Sequence, residues 1–269
     1  MEKTRLDQRV FDLGLADSRE KAKALIMAGS VYVNGQKQTK PGMPVTDAAS
    51  VEVRGQKLHY VSRGGLKLEK ALDTFRIDPE GRTCIDCGAS TGGFTDCLLQ
   101  RGAKHVYAVD VGYGQLAWSL RSDDRVTVME RTNARGLTPD MFPETMDLAV
   151  MDMSFISLRL VLPAVRTLLS AGGEVVCLVK PQFEAGREKV GKKGVVRDPA
   201  VHREVLEDFI TALGPLGFSL AGLTFSPVRG PEGNIEYLAW LRTDGESISV
   251  DCSDVVRCSH EELDGGSAK

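Results

Sequence analysis

Short apolar segments of strand length alternate with segments of helix length along the chain from Thr83 to Arg242. This alternation predicts an α/β fold built on a doubly wound, mostly parallel sheet, and the last two strand candidates read as a hairpin pair. A sheet of this kind binds its ligands at the carboxyl ends of its strands. The strand candidates are TCIDCG (83–88), HVYAVDVG (105–112), VTVME (126–130), DLAVMDMS (147–154), EVVCLVKP (174–181), LAGLTFSP (220–227) and IEYLAWLR (235–242). Helices are expected from Thr95 and within QLAWSLRS (115–122), LVLPAVRTLL (160–169) and HREVLEDFITAL (202–213).

The composition excludes several other classes of protein. The chain has 269 residues, of which 42% are hydrophobic and 26% are charged, as in a globular protein of one or two domains. No apolar run reaches the roughly 18 residues of a membrane span, and the first ten residues lack the apolar core of a secretory signal. Six cysteines in a chain of this length do not form a disulfide framework, so the expected location is the reducing cytoplasm.

Charge is distributed unevenly along the chain. Residues 1–70 contain 13 Lys and Arg against 8 Asp and Glu, a balance of +5. The whole chain has a formal charge of −3, so the remainder carries −8. The basic N-terminal segment, in a chain that is otherwise acidic, suggests that this segment binds a polyanion.

The basic N-terminal segment also has the pattern of a compact α+β module. Two helices, the second capped by Asp17 or Ser18, are followed by a strand that enters an Asn34-Gly35 turn. Cations aligned on these elements form either a phosphate-binding face or an ordinary solvated face, and charge alone does not separate the two. These cations are Arg5, Arg9, Arg19, Lys23, Lys37 and Lys40, and Arg63 follows in the segment SRGGLK.

A glycine-rich loop, DCGASTGGFTD (86–96), follows the first strand candidate of the sheet. A P-loop would have a lysine where this chain has Phe94, and a dinucleotide-binding loop would have a glycine in place of Ser90. S-adenosylmethionine carries no phosphate for Asp86 to repel, and its ammonium and sulfonium groups are cationic, so an acid at this strand end favours that cofactor. The alternative is that Gly92 and Gly93 serve only a tight turn between strand and helix.

The cofactor site is expected to combine this loop with the ends of neighbouring strands. Asp110 ends the next strand candidate and can accept hydrogen bonds from ribose hydroxyls, although it would bind the ribose of NAD equally well. The expected cofactor-binding residues are Asp86, Gly88, Ala89, Ser90, Thr91, Gly92, Gly93, Phe94, Asp110, Val111, Asn133 and Asp152.

Charged residues elsewhere at strand ends indicate the chemistry. Amino-group methylases of bases share an Asn/Asp-Pro-Pro-Tyr/Phe sequence at the fourth strand, where this chain has DMSF (152–155). Asp152 and Lys180 end strand candidates, and Lys67 and Glu236 complete a set of four charges. Each of them alone could be a solvated residue at the end of a strand.

The cysteines are expected to be structural. Carbon methylation of pyrimidines needs a cysteine nucleophile at a strand end, but Cys177 lies mid-strand and is expected in the core. Cys84 and Cys87 are three apart in an extended strand, so they point to opposite faces and a disulfide is not expected. The tail residues Cys252, Cys258 and His260 have no recognised zinc spacing, and no metal is expected.

Two family resemblances extend these inferences. Residues 4–57 resemble the small RNA-binding module named after ribosomal protein S-four, through RLDQRVFDLGLADSREKAKALIMAGSVYVNG and KPGMPV. The chain order Lys67, Asp152, Lys180, Glu236 resembles that of the FtsJ-like RNA ribose 2′-O-methyltransferases. From Arg5 to about Arg242 the chain is similar to the TlyA family, through VSRGGLKLEKAL, ASTGGFTD, DVGYGQLAWSLR, ERTNARGLTP, SFISLRLVLPA and VKPQFEAGREKVGKKGVVRDP.

The resemblance implies a Rossmann-like, S-adenosylmethionine-dependent methyltransferase domain at residues 66–242. The RNA-binding module at 1–59 and a linker at 60–65 precede it, and a polar tail at 243–269 follows, either disordered or a short peripheral helix. The implied activity is 2′-O-methylation of cytidine in ribosomal RNA, with that RNA or ribosomal subunits as partner. Family members are also labelled haemolysins, but no membrane partner is expected, because no span or strongly amphipathic apolar helix is present. A non-catalytic RNA-binding protein on a retired methylase fold is a further alternative, against which the complete four-charge set argues.

For this reaction the four charges are the expected catalytic residues. A ribose hydroxyl must lose or share its proton as it attacks a methyl group. A lysine can be the base only if burial or a neighbouring cation lowers its pKa, as Lys180 would do for Lys67 while Asp152 and Glu236 orient both. Lys67 could instead hold the target phosphate. Lys180 is expected to act most directly on the hydroxyl, either as the base or as a fixed positive charge.

Overall fold

The computed structural model describes residues 3–16, 18–27, 29–53 and 59–265. The chain divides into two compact units, Met1–His59 and Tyr60–Lys269. Asp17, one of the two expected helix caps, lies outside the described residues. The other, Ser18, caps the second helix, because its hydroxyl oxygen accepts the N–H of Lys21 at 3.2 Å.

The first unit is a small α+β structure. Strand β2 lies between β3 and β5 in an antiparallel three-stranded sheet, while β1 pairs with β4. Apolar side chains from both helices and from β2 and β4 form its core. The elements are β1 (Lys3–Arg5), α1 (Leu6–Asp12), α2 (Arg19–Met27), β2 (Val31–Val33), β3 (Gln36–Gln38), β4 (Pro44–Thr46) and β5 (Val51–Val53).

The second unit is built on a seven-stranded sheet, which confirms the expected doubly wound α/β fold. Its strand order is β11-β12-β10-β9-β6-β7-β8. The strands from β10 to β8 pair in parallel, whereas β12 is antiparallel to both β10 and β11, so the last two strands form the expected hairpin pair. The strands are β6 (Thr83–Cys87), β7 (His105–Val109), β8 (Val126–Met129), β9 (Met146–Met151), β10 (Leu169–Val179), β11 (Ser219–Phe225) and β12 (Tyr237–Arg242).

Two clusters of buried apolar side chains lie on opposite faces of this sheet. Cys84 belongs to one cluster and Cys87 to the other, so their side chains point to opposite faces as predicted. Cys177 is fully buried in the same cluster as Cys87, as expected for a core residue. The helices of this unit are α3 (Gly64–Phe75), α4 (Gly93–Gln100), α5 (Trp118–Arg121), α6 (Leu162–Leu168), α7 (Pro181–Glu184), α8 (Pro199–Leu213) and α9 (Cys252–Gly265).

The polar tail contains α9, so the helical alternative for this segment is the one found. The helix packs on α8 and β11 and buries Cys252, Val256 and Ser259. The Ser259 hydroxyl lies 3.2 Å from the hydroxyl of Tyr237, the first residue of β12. α9 is therefore bound to the sheet beside the residues that precede β12.

The parallel strands end along one edge of the sheet. β6, β9 and β10 are followed there by Gly88, Asp152 and Lys180. The Asp152 N–H donates to the carbonyl of Cys87 at 3.1 Å. This edge therefore brings the glycine loop next to two of the charged residues expected at strand ends.

Candidate active site

Four charged side chains meet at the carboxyl edge of the sheet. Asp152 Oδ1 lies 2.6 Å from Lys180 Nζ, and Asp152 Oδ2 lies 3.5 Å from Lys67 Nζ. Lys67 Nζ also donates to Glu236 Oε2 at 2.6 Å, across 169 positions of sequence. Helix α3 carries Lys67, and Glu236 immediately precedes β12. The result is a continuous row, Glu236–Lys67–Asp152–Lys180, which we call the catalytic row.

The opposite charges of this row outweigh the effect of burial on the pKa values of Lys67 and Asp152. Lys67 and Lys180 are 7% and 6% exposed, and Glu236 is 1% exposed. Burial by itself lowers the pKa of Lys67, but the carboxylates of Asp152 and Glu236 outweigh it, so the pKa is raised. Burial likewise opposes ionisation of Asp152, but Lys180 and Lys67 hold its pKa below the ordinary value.

The expectation that Lys67 has a lowered pKa is therefore wrong. Its ammonium group contacts two carboxylates, and their attraction exceeds the effect of burial. Lys67 is thus a fixed cation at neutral pH and not a candidate base.

A cavity of about 440 Å³ opens beside the catalytic row. Lys67, Asp152 and Lys180 line it, and so does most of the glycine loop. Two arginines, Arg63 and Arg229, add positive charge to the lining. The loop residues that line it are Gly88, Ala89, Ser90, Thr91, Gly93 and Phe94.

The glycines of the loop permit close backbone approaches. Gly88 has φ +86°, and a Cβ there would lie 2.7 Å from the backbone oxygen of Asp152. Gly92 has φ +96° and starts the turn into α4, while a Cβ on Gly93 would lie 2.8 Å from the backbone nitrogen of Gly65. The turn and the packing of α3 on α4 thus explain Gly92 and Gly93, whereas Gly88 brings the loop against the catalytic row.

Asp86 is fully buried beneath the loop and does not line the cavity. Its Oδ2 accepts hydrogen bonds from the backbone N–H of Thr95 at 3.0 Å and from the Thr95 hydroxyl at 2.7 Å. Its Oδ1 has no hydrogen-bond partner among the described residues. Burial raises the pKa of Asp86 to about 7, despite the hydrogen bonds from Thr95. Asp86 therefore holds the first turn of α4 in place from below.

Asp110 lies beside the loop, at the end of β7. Its Oδ2 accepts the N–H of Ser90 at 2.8 Å and its Oδ1 accepts the N–H of Gly112 at 2.7 Å. Each carboxylate oxygen can accept more than one hydrogen bond, so Asp110 retains capacity for a ligand. Val111, next in the chain, is 69% exposed.

Asn133 lies in the loop after the neighbouring strand β8, outside the lining of the 440 Å³ cavity. Its Oδ1 accepts the N–H of Arg135 at 3.0 Å, which caps a short 3₁₀ turn. The N–H of the preceding residue, Thr132, donates to the backbone oxygen of Asp110 at 2.9 Å. The loops after β7 and β8 are thus joined by hydrogen bonds.

The expected RNA-binding cations of the first unit have different surroundings. Asp7, whose side chain is fully buried, accepts hydrogen bonds from Arg5 Nε at 3.0 Å and from Arg19 Nε at 3.2 Å. Arg9 Nη2 donates to the backbone oxygen of Asp47 at 3.0 Å. Arg5, Arg9 and Arg19 therefore hold the unit together as well as charging its surface. Lys23 is partly exposed, and Lys37, Lys40 and, in the second unit, Arg63 are exposed.

Sequence patterns missed two residues at this site. Phe155 follows Ser154, whose hydroxyl accepts a hydrogen bond from Lys180 Nζ at 3.3 Å. The Phe155 side chain is 91% exposed, and its φ of +64° is rare for an aromatic residue. Arg229 reaches the cavity from the loop between β11 and β12. The segment DMSF marks the position of Phe155, but its exposure and backbone conformation are properties of the folded chain.

Metal binding, disulfide formation and membrane spanning were the other possibilities raised by the sequence, and the described part of the chain bears on all three. No group of three or more His, Cys, Asp or Glu there is arranged to hold a metal ion. The six cysteines are free thiols. None of the described helices is both long enough and apolar enough to cross a membrane.

Known proteins resemble this chain over nearly its whole length. Residues 60–243 match the family described as FtsJ-like methyltransferase, and residues 4–51 match the S4 domain. YqxC of Bacillus subtilis (strain 168), named a candidate rRNA methyltransferase, is 56% identical over 245 residues, which cover 91% of this chain and 87% of YqxC. The 16S/23S rRNA (cytidine-2′-O)-methyltransferase TlyA of Mycobacterium tuberculosis (strain H37Rv) is 50% identical over 242 residues, 90% of each chain.

A solved structure agrees with these relatives. A candidate hemolysin from Streptococcus thermophilus aligns over all of both chains, with a TM-score of 0.80 and 49% identity. An S4 domain followed by an FtsJ-like domain, with relatives of this identity and coverage, leads to one assignment: the chain belongs to the TlyA family of FtsJ-like methyltransferases.

Proposed function

We propose that this protein methylates the 2′-hydroxyl of a cytidine ribose in ribosomal RNA, with S-adenosylmethionine as methyl donor. The observation that supports this most is the buried catalytic row, which shares a cavity with the glycine loop. The name of the 50%-identical TlyA relative supplies the nucleotide and the RNA class. Ribosomal RNA or ribosomal subunits are then the partner, and the cytoplasm is the place of action.

Three features of the site fit S-adenosylmethionine. Gly88 lines the cavity and, having no side chain, lets the loop backbone approach Asp152 closely. Asp110 is held by two backbone N–H groups and can accept hydrogen bonds from ribose hydroxyls. Asp86 and Asp152 place carboxyl groups under and beside the loop, which favours a cationic ligand. When bound, the cofactor supplies an electrophilic methyl group on a positively charged sulfur.

We assign direct binding of the cofactor to the glycine loop and to residues that follow β7, β8 and β9. The binding residues are Gly88, Ala89, Ser90, Thr91, Gly93, Phe94, Asp110, Val111, Asn133 and Asp152. Asp86 and Gly92 support the loop from within and have no direct contact in this proposal.

Lys180 acts most directly on the ribose hydroxyl in this proposal. Its Nζ lies at the carboxyl edge of the sheet, where it either receives the proton that the 2′-hydroxyl loses as its oxygen becomes the nucleophile, or stabilises the developing negative charge as a fixed cation while the proton passes to another acceptor. Asp152, 2.6 Å away, orients Lys180 in both cases. Lys67 stays protonated and orients Asp152, and Glu236 holds Lys67 in place.

The first unit supplies RNA affinity through phosphate contacts. Arg5, Arg9, Arg19, Lys23, Lys37 and Lys40 form its contact surface in this proposal, and Arg63 binds RNA at the cavity of the second unit. Such contacts carry little sequence information, so they bind the RNA but do not select the nucleotide.

Mass-spectrometric mapping of ribose methylation in ribosomal RNA tests the proposal. Cells that lack the protein should lose at least one 2′-O-methylcytidine, which wild-type protein restores and the Lys180→Ala variant does not. An identical methylation map with and without the protein would refute the activity. Calorimetry provides the second measurement, because S-adenosylmethionine should bind and Asp110→Ala should weaken that binding. RNA binding without any cofactor binding would favour the non-catalytic alternative.

A further inference from the structure

Arg229 is a cation at the catalytic cavity that the reaction described above does not use. It lies in the loop between β11 and β12, seven residues before Glu236. Its Nη1 donates to the backbone oxygen of Gly233 at 2.8 Å, and its Nη2 contacts Asp264 Oδ1. A guanidinium group has five N–H donors, so Arg229 retains donors for a ligand in the cavity.

The loop that carries Arg229 is held by backbone hydrogen bonds within itself, and it packs against the catalytic row. The Gly230 N–H donates to the backbone oxygen of Asn234 at 2.9 Å, and the Gly233 N–H donates to that of Gly230 at 2.9 Å. A Cβ on Gly230 would lie 2.6 Å from Glu236 Oε1. The backbone next to Arg229 therefore packs directly on a member of the catalytic row.

Helix α9 holds the other side of the Arg229 guanidinium. Asp264 is near its end, and Asp264 Oδ2 lies 3.0 Å from Nδ1 of His260 on the same helix. Ser259, one position before His260, contacts the hydroxyl of Tyr237 and so ties the helix to β12. The tail helix thus connects the position of Arg229 to the strand that follows Glu236.

Charge balance indicates what Arg229 binds. The two lysines of the catalytic row are paired with two carboxylates, so these four charges cancel. Arg63 and Arg229 are the cations of the lining that lie outside the catalytic row. An ion pair as exposed as Arg229–Asp264, with side chains 32% and 58% exposed, contributes little to stability. An RNA ribose has a phosphate group on each side, and an arginine fork matches phosphate geometry.

We propose that Arg229 binds a backbone phosphate next to the target ribose, and that α9 positions it through Asp264. The proposal rests on the proposed function, since it names the residue that receives the RNA backbone at the same cavity. Asp264 is a positioning residue here, because it acts on the RNA only through the guanidinium group of Arg229.

The test measures the KM for ribosomal RNA, its dependence on salt, and the maximal rate of methyl transfer. The RNA is purified from cells that lack the protein. Arg229→Ala should raise the KM about 10- to 100-fold, as expected for a charge-assisted hydrogen bond, and reduce the slope of log KM against log salt by about one. Arg229→Lys should have an intermediate effect, because it keeps the charge and loses the fork. Binding of S-adenosylmethionine should be unchanged in both variants.

Asp264→Asn should raise the KM about threefold to tenfold and add nothing in combination with Arg229→Ala. The matched control is Asp254→Ala, which breaks an ion pair with Arg257 on the same helix outside the cavity and should leave the KM unchanged. Wild-type KM and salt slope in Arg229→Ala would overturn the phosphate contact. Wild-type KM in Asp264→Asn, or additive effects in the double variant, would overturn the positioning role.

The failure of the proposed function would look different. In that case wild-type protein transfers no methyl group to the RNA, and the same variants are compared by RNA affinity alone. A weaker, less salt-dependent RNA affinity in Arg229→Ala would then support the phosphate contact without the methylation activity. An unchanged RNA affinity would overturn the phosphate contact as well.

Discussion

Lys180 is the side chain on which methyl transfer depends most in the proposed mechanism. Lys180→Ala should lower the single-turnover rate by about 10²- to 10⁴-fold, the range for loss of a positioned acid–base group. Affinities for S-adenosylmethionine and RNA should stay near wild type, because the interaction is used in the transition state. Lys180→Arg should not restore the rate, because a guanidinium group does not give up its proton at accessible pH.

The arginine variant separates the two roles considered for Lys180. Near-normal turnover with arginine would mean that Lys180 acts as a fixed positive charge and that the proton goes to another acceptor. Lys104→Ala is a suitable control, since that lysine is exposed and paired with Glu144 away from the cavity. It should leave the rate unchanged.

Asp86 makes stability depend on pH. Its pKa is raised to about 7 in the folded chain, whereas an unfolded aspartate titrates near 3.9. As pH rises from about 4 to 7, the unfolded chain ionises first, so the folded state loses up to about 4 kcal/mol relative to a chain without this carboxyl group. Asp86→Asn should therefore gain stability relative to wild type on going from pH 5 to pH 8, measured by urea unfolding.

The same variant has a functional cost in the proposed site. Asparagine lacks the negative charge that favours a cationic cofactor, so binding of S-adenosylmethionine should weaken, although the stability of the variant relative to wild type is higher at pH 8 than at pH 5. Asp140→Asn, at an exposed position, serves as control and should show no pH-dependent difference from wild type. Parallel curves for wild type and Asp86→Asn across this pH range would contradict the raised pKa.

At the scale of elements, the catalytic row depends on two segments outside the parallel strands. Asp152 and Lys180 follow β9 and β10, but α3 supplies Lys67 and the entry to the antiparallel strand β12 supplies Glu236. Helix α3 reaches this position because Gly64 and Gly65 pack against Gly93 at the start of α4. The glycine loop and α3 therefore depend on the same packing contact.

A methyl group at Gly93 should disturb the packing of the glycine loop on α3. The new Cβ would lie 2.3 Å from Ser62 Oγ and 2.8 Å from the Gly65 backbone nitrogen, so α3 and the loop must separate. Gly93→Ala should lower the free energy of unfolding by about 1–3 kcal/mol, as overpacking does, and weaken cofactor binding. Calorimetry and urea unfolding measure the two effects. Gly136→Ala is the control, because a Cβ at Gly136 would meet no atom within 4 Å; equal behaviour of both variants would contradict the prediction.

At the scale of the whole molecule, the basic first unit should dominate the salt dependence of RNA binding. Arg5 and Arg19 pair with buried Asp7, so removing them would leave a carboxylate unpaired and destabilise the unit. Lys23, Lys37 and Lys40 are better targets. Changing all three to Ala should weaken RNA binding and lower the slope of log affinity against log salt by about 2, if each lysine contacts one phosphate.

A charge-matched control separates specific contacts from net charge. Lys104→Ala, Arg203→Ala and Arg257→Ala together remove three cations of the second unit, each paired with an acidic neighbour. This control should change the slope much less. Equal slopes for the two triple variants would mean that the RNA does not contact these lysines of the first unit.

The amino-acid sequence by itself determined which segments form the strands and helices of the sheet domain. It also determined the edge of the sheet at which the charged site residues lie. Apolar segments of strand length that alternate with segments of helix length predicted the doubly wound sheet, because this alternation is typical of a parallel sheet covered by helices. Charges directly after strands predicted where Asp152 and Lys180 converge, because parallel strands end at one edge. The opposite directions of Cys84 and Cys87 follow from the same local geometry.

Only the tertiary structure decided the properties that depend on distance through space. The pKa of Lys67 rises because α3 and the residue before β12 bring its ammonium group to two carboxylates, one of them 169 positions away. Asp86 was expected to face the cofactor, yet the loop covers it completely. The contact between Arg229 and Asp264 exists only because α9 packs on the sheet. Electrostatic energies vary with separation and burial, which local sequence patterns do not encode, so these properties emerge only when the chain is folded.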